Sequence, residues 1–134
     1  MECQFAFISD YAQQQGGKLH AIGIGWDSIF ASQLPAGPPS MSVVARLRGS
    51  IAEAGTKQVM LRLIDADGTD VIPPLEEQVP LAVPTGALEG VMALTFNLVG
   101  IQFAKYGPYG IHILVNGNEV AHLSFSVSKP PMTA

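Results

Sequence analysis

The sequence predicts an all-β fold, an antiparallel β-sandwich of immunoglobulin-like or related Greek-key type with about eight strands. Its apolar runs are short, turn residues separate them, and no helical segment connects them. The 14 glycines and 10 prolines interrupt the chain too often for long helices. A length of 134 residues with 48% hydrophobic residues suits a single domain, residues 1–134, whose core needs no disulfide or metal.

Alternating hydrophobicity and the turn residues between runs define the strands. They cover residues 4–8, 19–24, 41–48, 59–65, 79–83, 91–99, 109–115 and 120–127. From the first of these segments onward, Phe5, Ile8 and Ala12 also satisfy a helical spacing, so a helix remains the alternative to the strand at 4–8. Pro80 and Pro84 bracket the strand at 79–83, which predicts an edge position. The predicted core contains Phe5 or Phe7, Val43, Leu47, Leu61, Leu63, Phe96, Tyr109, Ile111, Ile113, Leu123 and Phe125.

The last two strands form a hairpin whose register follows from their apolar residues. The apolar sets of the two arms share one face only if Ile113 pairs with Ala121, because a slip of one residue would invert one arm. This register predicts a three-residue loop at 116–118 and places His112 opposite His122 on the outer face.

Cysteine content and charge indicate the compartment and exclude some partners. Cys3 is the only cysteine, so no intramolecular disulfide can form, which fits a reducing compartment. Glu2 stands where a signal peptide carries positive charge, and no apolar stretch approaches the roughly 20 residues that span a bilayer. Seven Lys and Arg against eleven Asp and Glu give a net charge of −4, which argues against nucleic acid. We therefore expect a cytoplasmic protein that binds neither nucleic acid nor membrane.

Three aspartates, Asp65, Asp67 and Asp70, invite comparison with a calcium-binding loop. Asp70 stands where an EF-hand loop needs glycine, and prolines 73 and 74 interrupt the segment. A type I′ hairpin turn at Asp67-Gly68 explains the same residues, and we predict that turn. Cation binding by the three aspartates remains the alternative.

Two other patterns fall short of a recognisable site. His112 and His122 could chelate a metal across the hairpin, but zinc needs a third and usually a fourth protein ligand. The segment 23–25 lacks the third glycine of a dinucleotide fingerprint, because Ser28 stands there. We therefore predict no catalytic residue, no cofactor and no metal ion.

All three arginines, Arg46, Arg48 and Arg62, fall on strands that are consecutive in the predicted order. If those strands pair, the arginines form a basic patch that could bind a carboxylate or phosphate. A solvated sheet face that limits aggregation is the alternative, and we favour it because no counter-partner is evident.

Segments along nearly the whole chain resemble a family of small, uncharacterised bacterial proteins. They are residues 5–8, 10–12, 17–20, 23–27, 44–47, 63–68, 96–98 and 107–110. The most specific segment is the glycine-rich one that ends in Trp26 and Asp27. The resemblance implies a β-sandwich and favours a strand at 4–8, but it implies no activity. The start of the strand at 109–115 also resembles a tyrosine corner built on Tyr109.

The favoured function is a non-enzymatic binding or assembly module that acts on a protein partner, either a second copy or a larger assembly. Only 13% of the residues are charged, so apolar side chains must lie on the outer sheet faces. Candidate interface residues are Trp26, Val44, Met60 and Ile64. The alternative is a small enzyme or ligand-binding protein with its site in the loops around Trp26-Asp27 and Asp65 to Asp70.

Overall fold

The computed structural model describes residues 1–131 and confirms the all-β class: ten strands and one 3₁₀ turn, with no α-helix in that range. The strands are β1 (Glu2–Ser9), β2 (Tyr11–Gln15), β3 (Lys18–Ile22), β4 (Ser28–Phe30), β5 (Ser40–Ser50), β6 (Gly55–Asp65), β7 (Leu75–Leu81), β8 (Glu89–Val99), β9 (Gly107–Val115) and β10 (Asn118–Ser128). The 3₁₀ turn, Ile51–Glu53, connects β5 to β6.

Two larger sheets share one hydrophobic core. One sheet has the order β1-β5-β8 and the other β4-β10-β9-β6-β7. All pairings in them are antiparallel except that of β4 with β10. Alternate residues of β5 and β8 meet alternate residues of β6, β9 and β10 in a single buried cluster. The alternation predicted for 41–48 is confirmed, because Met41, Val43, Ala45 and Leu47 all belong to that cluster.

A third, two-stranded sheet made of β2 and β3 packs on the outer face of the three-stranded sheet. Its first strand contacts both β5 and β8, and the side-chain amide of Gln14 donates a hydrogen bond from Nε2 to the backbone carbonyl of Ala93 at 2.9 Å. This layer explains why Val44, which faces outward from β5, is fully buried. The prediction that Val44 lies on an exposed face is therefore wrong.

The first predicted segment is a strand, β1, and not a helix. Phe5 and Phe7 do not enter the core as predicted, because a bulge between Cys3 and Phe5 shifts the register against β5. Phe5 is 40% exposed, and the two rings stack with centroids 5.9 Å apart. The edge position predicted for 79–83 is confirmed by β7, which ends its sheet and contains Pro80.

Sequence reasoning missed β2 and β4. Four of the five residues of β2 are polar or aromatic, so it shows no apolar alternation, and β4 has only three residues. Both strands form because a neighbouring strand supplies hydrogen-bond partners, β3 for β2 and β10 for β4.

The closing hairpin has the predicted register but a shorter loop. Ile113 pairs with Ala121 and His112 with His122. Asn118, however, pairs with Val115, so the loop contains two residues, Asn116 and Gly117, with φ of 49° and 82°. A bulge at Val120 accounts for the third residue.

The predicted tyrosine corner is present at the start of β9. The hydroxyl of Tyr109 donates a hydrogen bond to the carbonyl of Lys105 at 2.7 Å. Its ring stacks on Phe125 and meets the edge of Phe103, with centroids 5.6 and 4.8 Å away. The corner thereby fixes the loop before β9 to the aromatic part of the core.

Candidate functional site

A groove of about 520 Å³ lies beside the glycine-rich segment that follows β3. Its lining residues are Asp10, Gly23, Ile24, Gly25, Trp26, Ser28, Ile29 and Pro38. The segment is held in place by two backbone hydrogen bonds of 2.9 Å, from Asp10 N–H to the carbonyl of Ile22 and from Gly25 N–H to the carbonyl of Ile8. The β1–β2 and β3–β4 connections, tied together by these hydrogen bonds, therefore form most of the groove.

Gly23 is required by the shape of this groove. Its φ is +71°, a value that residues with a side chain rarely adopt. A Cβ at Gly23 would also collide with the carboxylate of Asp10. The absence of a side chain thus lets the Asp10 carboxylate lie against the backbone.

Trp26 closes the groove from the core side. Its ring meets Phe125 edge to face, with centroids 5.9 Å apart and an angle of 80° between the planes. The indole Nε1 is buried and has no hydrogen-bond partner within residues 1–131. Trp26 is half-buried, so it packs against its own chain as well as bordering the surface.

Beside the groove, Tyr11, Ile22 and Ile24 form an exposed apolar surface that we call the hairpin surface. Their exposed fractions are 47%, 70% and 59%. Tyr11 and Ile22 are cross-strand partners, and Ile24 lines both the Trp26 groove and a second groove along β3. Sequence reasoning missed these residues, although two isoleucines alternating with glycines next to Trp26 were a usable signal.

The four candidate interface residues do not form one surface. Val44 is buried under β2, and Trp26 lies between the core and the groove. Met60 and Ile64 are half-buried on the outer face of β6, where they pair with Leu114 and Gly110 of β9. Of the four, only Trp26 adjoins the hairpin surface.

The aspartate loop is a hydrogen-bonded turn. The N–H of Gly68 donates to the carbonyl of Asp65 at 3.1 Å, which makes Ala66 and Asp67 the central residues. Neither central residue has a positive φ, whereas Gly68, which follows them, has a φ of 80°. A type I′ turn needs positive φ at both central residues, so the type I′ turn predicted at Asp67-Gly68 is wrong. The Asp65 carboxylate accepts hydrogen bonds from the N–H groups of Asp67 and Thr69, at 2.9 and 3.0 Å.

Charged side chains surround this turn. The Lys105 ammonium lies 3.4 Å from Asp67 and 3.7 Å from Asp65. The hydrogen bond from Thr69, with that from Asp67 and the Lys105 charge, holds the pKa of Asp65 below its ordinary value. Within residues 1–131, no three His, Cys, Asp or Glu side chains are arranged to hold a metal ion. None of residues 65–70 lines the Trp26 groove, so the two loops of the alternative site are not brought together there.

The structure separates Arg62 from Arg46 and Arg48. Arg46 and Arg48 lie on β5 and Arg62 on β6, and these strands belong to different sheets because the connection through the 3₁₀ turn crosses from one sheet to the other. Arg48 lies 3.4 Å from Glu89, and Arg62 lies 3.2 Å from Asp70. The strand pairing on which the basic patch depended is therefore wrong.

The two histidines of the closing hairpin do meet on the outer face of the five-stranded sheet. The rings of His112 and His122 stack with centroids 4.3 Å apart and planes 11° from parallel. His112 Nδ1 contacts the carboxylate of Glu119 on β10. His122 is exposed and His112 is half-buried.

No helix in residues 1–131 has the length and hydropathy needed to cross a membrane. Among curated proteins, none matches this sequence.

Two solved structures are distantly similar to this chain. A β-glucosidase from Listeria innocua in complex with glucose is 16% identical, with a TM-score of 0.48 over 76% of this chain and 15% of that one. The alkylpurine DNA glycosylase AlkC of Pseudomonas fluorescens, bound to DNA containing an abasic site analog, is 12% identical, with a TM-score of 0.41 over 76% of this chain and 28% of that one. This chain therefore spans less than a third of either.

A family described as a family of unknown function (DUF6941) matches residues 4–128, nearly the whole sequence. The resemblance to an uncharacterised family is thus confirmed, and the chain belongs to this family of unknown function.

Proposed function

We propose that this protein is a non-enzymatic assembly module that pairs with a second copy of itself through the hairpin surface and the adjoining edge of β3. The observation that carries the proposal is the exposure of Tyr11, Ile22 and Ile24 side by side. Large apolar side chains grouped on a surface mark interaction sites more often than isolated ones do.

The open edge of β3 supports a partner that adds backbone hydrogen bonds. Within residues 1–131, β3 pairs only with β2. The other side of β2 is tied to the sheet below, since Ala12 N–H donates to Ser42. An unpaired edge beside exposed apolar side chains is a template for strand addition.

A second copy is the partner that such an edge fits most simply. Two antiparallel β3 strands related by a two-fold axis would join two hairpins into a four-stranded sheet. The surface carries few charges that would repel an identical copy: the polar cross-strand pair beside Tyr11 and Ile22 is Gln13 with His20. A two-stranded hairpin is marginal by itself, so this extension would also stabilise it.

The immunoglobulin-like topology belongs to the same proposal. Seven strands remain when β2, β3 and β4 are left out. If these seven are counted in chain order, the first, second and fifth form one sheet, and the third, fourth, sixth and seventh form the other. An immunoglobulin constant domain has the same division except that its fourth strand lies in the other sheet. The tyrosine corner on the sixth of these strands also supports the assignment.

A cytoplasmic location, without nucleic acid or membrane partners, completes the proposal. The lone Cys3 supports a reducing compartment, and burial raises the pKa of its thiol, which favours the unreactive protonated form. The net charge of −4 supports the exclusion of nucleic acid.

Sedimentation velocity on two matched serine variants tests the surface. Ile24→Ser removes an apolar side chain of the hairpin surface that is 59% exposed, and Ile51→Ser removes one that is 56% exposed on the 3₁₀ turn. We expect Ile24→Ser to weaken self-association and Ile51→Ser to leave it unchanged. Equal effects of the two variants would remove the hairpin surface from the proposal.

Ligand binding in the Trp26 groove is the second candidate function. Its supporting observation is the lining of the Trp26 groove, which combines a single ionisable side chain, Asp10, with the aromatic ring of Trp26. Trp26 is the only tryptophan, so its fluorescence reports on this groove alone. A small-molecule library that leaves that fluorescence unchanged would count against this function.

A further inference from the structure

Gly110 leaves a gap on the outer face of the five-stranded sheet, at the centre of β9. A Cβ at Gly110 would lie 3.2 Å from Nε2 of His112 and 3.3 Å from Nε2 of His122. Nε2 is therefore the atom of each imidazole that lies nearest to the position a side chain at residue 110 would occupy. The register places Ser124 of β10 opposite Gly110, on the far side of the gap from Ile64 of β6.

The carboxylate of Glu119 orients the first imidazole. It contacts Nδ1 of His112, so in the neutral ring the proton lies on Nδ1 and the lone pair on Nε2. A carboxylate on the far nitrogen is the usual companion of a histidine that binds a metal, because it fixes the tautomer and raises the basicity of the ligating atom. The Nε2 lone pair of His112 is thus free to bind a metal ion.

The sequence leads us to expect no metal ion, because this histidine pair lacks a third protein ligand within residues 1–131. From the geometry of the pair we nevertheless infer a binding site for a divalent transition-metal ion, in which Nε2 of His112 and Nε2 of His122 are the protein ligands and Glu119 orients His112. Imidazole nitrogens suit nickel and copper, whereas zinc would need at least one more protein ligand than the described residues supply here. Water would fill the remaining positions, because the gap opens to solvent beside His122. The site is independent of the proposed assembly, since it lies on β9 and β10, whereas the hairpin surface lies at β2 and β3.

Ion binding requires one ring to turn. Nearly parallel rings cannot both point an in-plane lone pair at one ion, so one must rotate about its Cβ–Cγ bond. His122 is the freer ring because it is exposed, whereas His112 is half-buried and its Nδ1 contacts Glu119. The neighbouring cation, Arg62, faces His112 from β6 and is partly neutralised by Asp70 at 3.2 Å.

Calorimetric titration of the full chain with Ni²⁺ tests the site. The variants are His122→Gln, which removes a ligand, and Gly110→Ala, which fills the gap and keeps both imidazoles. His20→Gln is the matched control, since His20 lies on β3 in another sheet. We expect both test variants to bind Ni²⁺ at least about 10-fold more weakly, and Glu119→Gln to lose about 10-fold, while the control matches the wild type.

Several results would overturn the inference. Unchanged affinity in His122→Gln or Gly110→Ala would place the ion elsewhere, as would an equal loss in His20→Gln. If a variant does not fold, as judged by circular dichroism, electron paramagnetic resonance of Cu²⁺ on the wild-type chain decides. Coupling to two imidazole nitrogens is expected, and coupling to one or none contradicts the site.

Discussion

The backbone N–H of Ala12 donates a hydrogen bond to Oγ of Ser42, with 3.1 Å between the two atoms. Ser42 in turn donates to the side-chain carbonyl of Asn97, so one buried hydroxyl joins β2, β5 and β8. This contact fixes the hairpin of β2 and β3 on the three-stranded sheet. It thereby buries Val44 and holds Tyr11 where its ring is exposed.

Replacing Ser42 should destabilise the fold through an unsatisfied buried donor. Ser42→Ala leaves the N–H of Ala12 without its partner, and we expect the free energy of unfolding to fall by about 1–3 kcal/mol. Chemical denaturation measures this change, with the exposed Ser32→Ala as the control. If both variants unfold at the same denaturant concentration as the wild type, the hydroxyl does not fix the hairpin.

A side chain at Gly23 should cost more than one at Gly16. Both glycines have positive φ, +71° and +59°, so an alanine at either pays a backbone cost of about 1–2 kcal/mol. Only at Gly23 would the new methyl also meet the Asp10 carboxylate, whereas nothing lies within 4 Å at Gly16. The melting temperature of Gly23→Ala should therefore be lower than that of Gly16→Ala, and the reverse order would refute the close contact between residue 23 and Asp10.

The contribution of Asp65 to stability should depend on pH. Hydrogen bonds from the backbone of Thr69 and Asp67 lower its pKa in the folded chain, so the ionised form stabilises the fold at pH values above the pKa of the unfolded chain. That contribution is lost as the pH falls through the lowered, folded-state pKa. Asp65→Asn should be less stable than wild type at neutral pH, and the difference should shrink in acid. A difference for Asp65→Asn that persisted in acid would point to another cause.

Calcium should not stabilise this protein. Asp65 already accepts two backbone hydrogen bonds, and the Lys105 ammonium, 3.4 Å from Asp67, would repel a second cation. We expect the melting temperature to stay constant on addition of millimolar calcium, in wild type and in the double variant Asp65→Asn with Asp67→Asn. A rise in wild type that the double variant abolishes would establish a calcium site.

The apolar alternation of β9 and β10 was sufficient to predict their pairing but not their turn. Alternation determines which residues share a face, and it is equally compatible with a three-residue loop or with a two-residue loop and one bulged residue. The pairs from Ile113 with Ala121 onward are the same in both cases. Only the positive φ of both Asn116 and Gly117 distinguishes the turn that forms.

The predictions of the basic patch and of the interface residues are wrong where they depend on contacts between distant segments. The sequence predicts that Arg46 and Arg62 lie together because their strands are consecutive, yet the intervening connection crosses between sheets. Val44 alternates as an exposed residue should, and only the packing of the polar strand β2 buries it. Local pattern carries no information on which segment covers an outer face, so these features required the folded chain.

Light scattering coupled to size exclusion, over a range of protein concentrations, tests the proposed assembly most directly. The chain has a mass of 14.2 kDa. Pairing through β3 and the hairpin surface predicts a mass that rises with concentration toward twice that value, and a rise that Ile24→Ser suppresses. A mass of 14.2 kDa at every concentration up to the high micromolar range would contradict self-assembly through this surface.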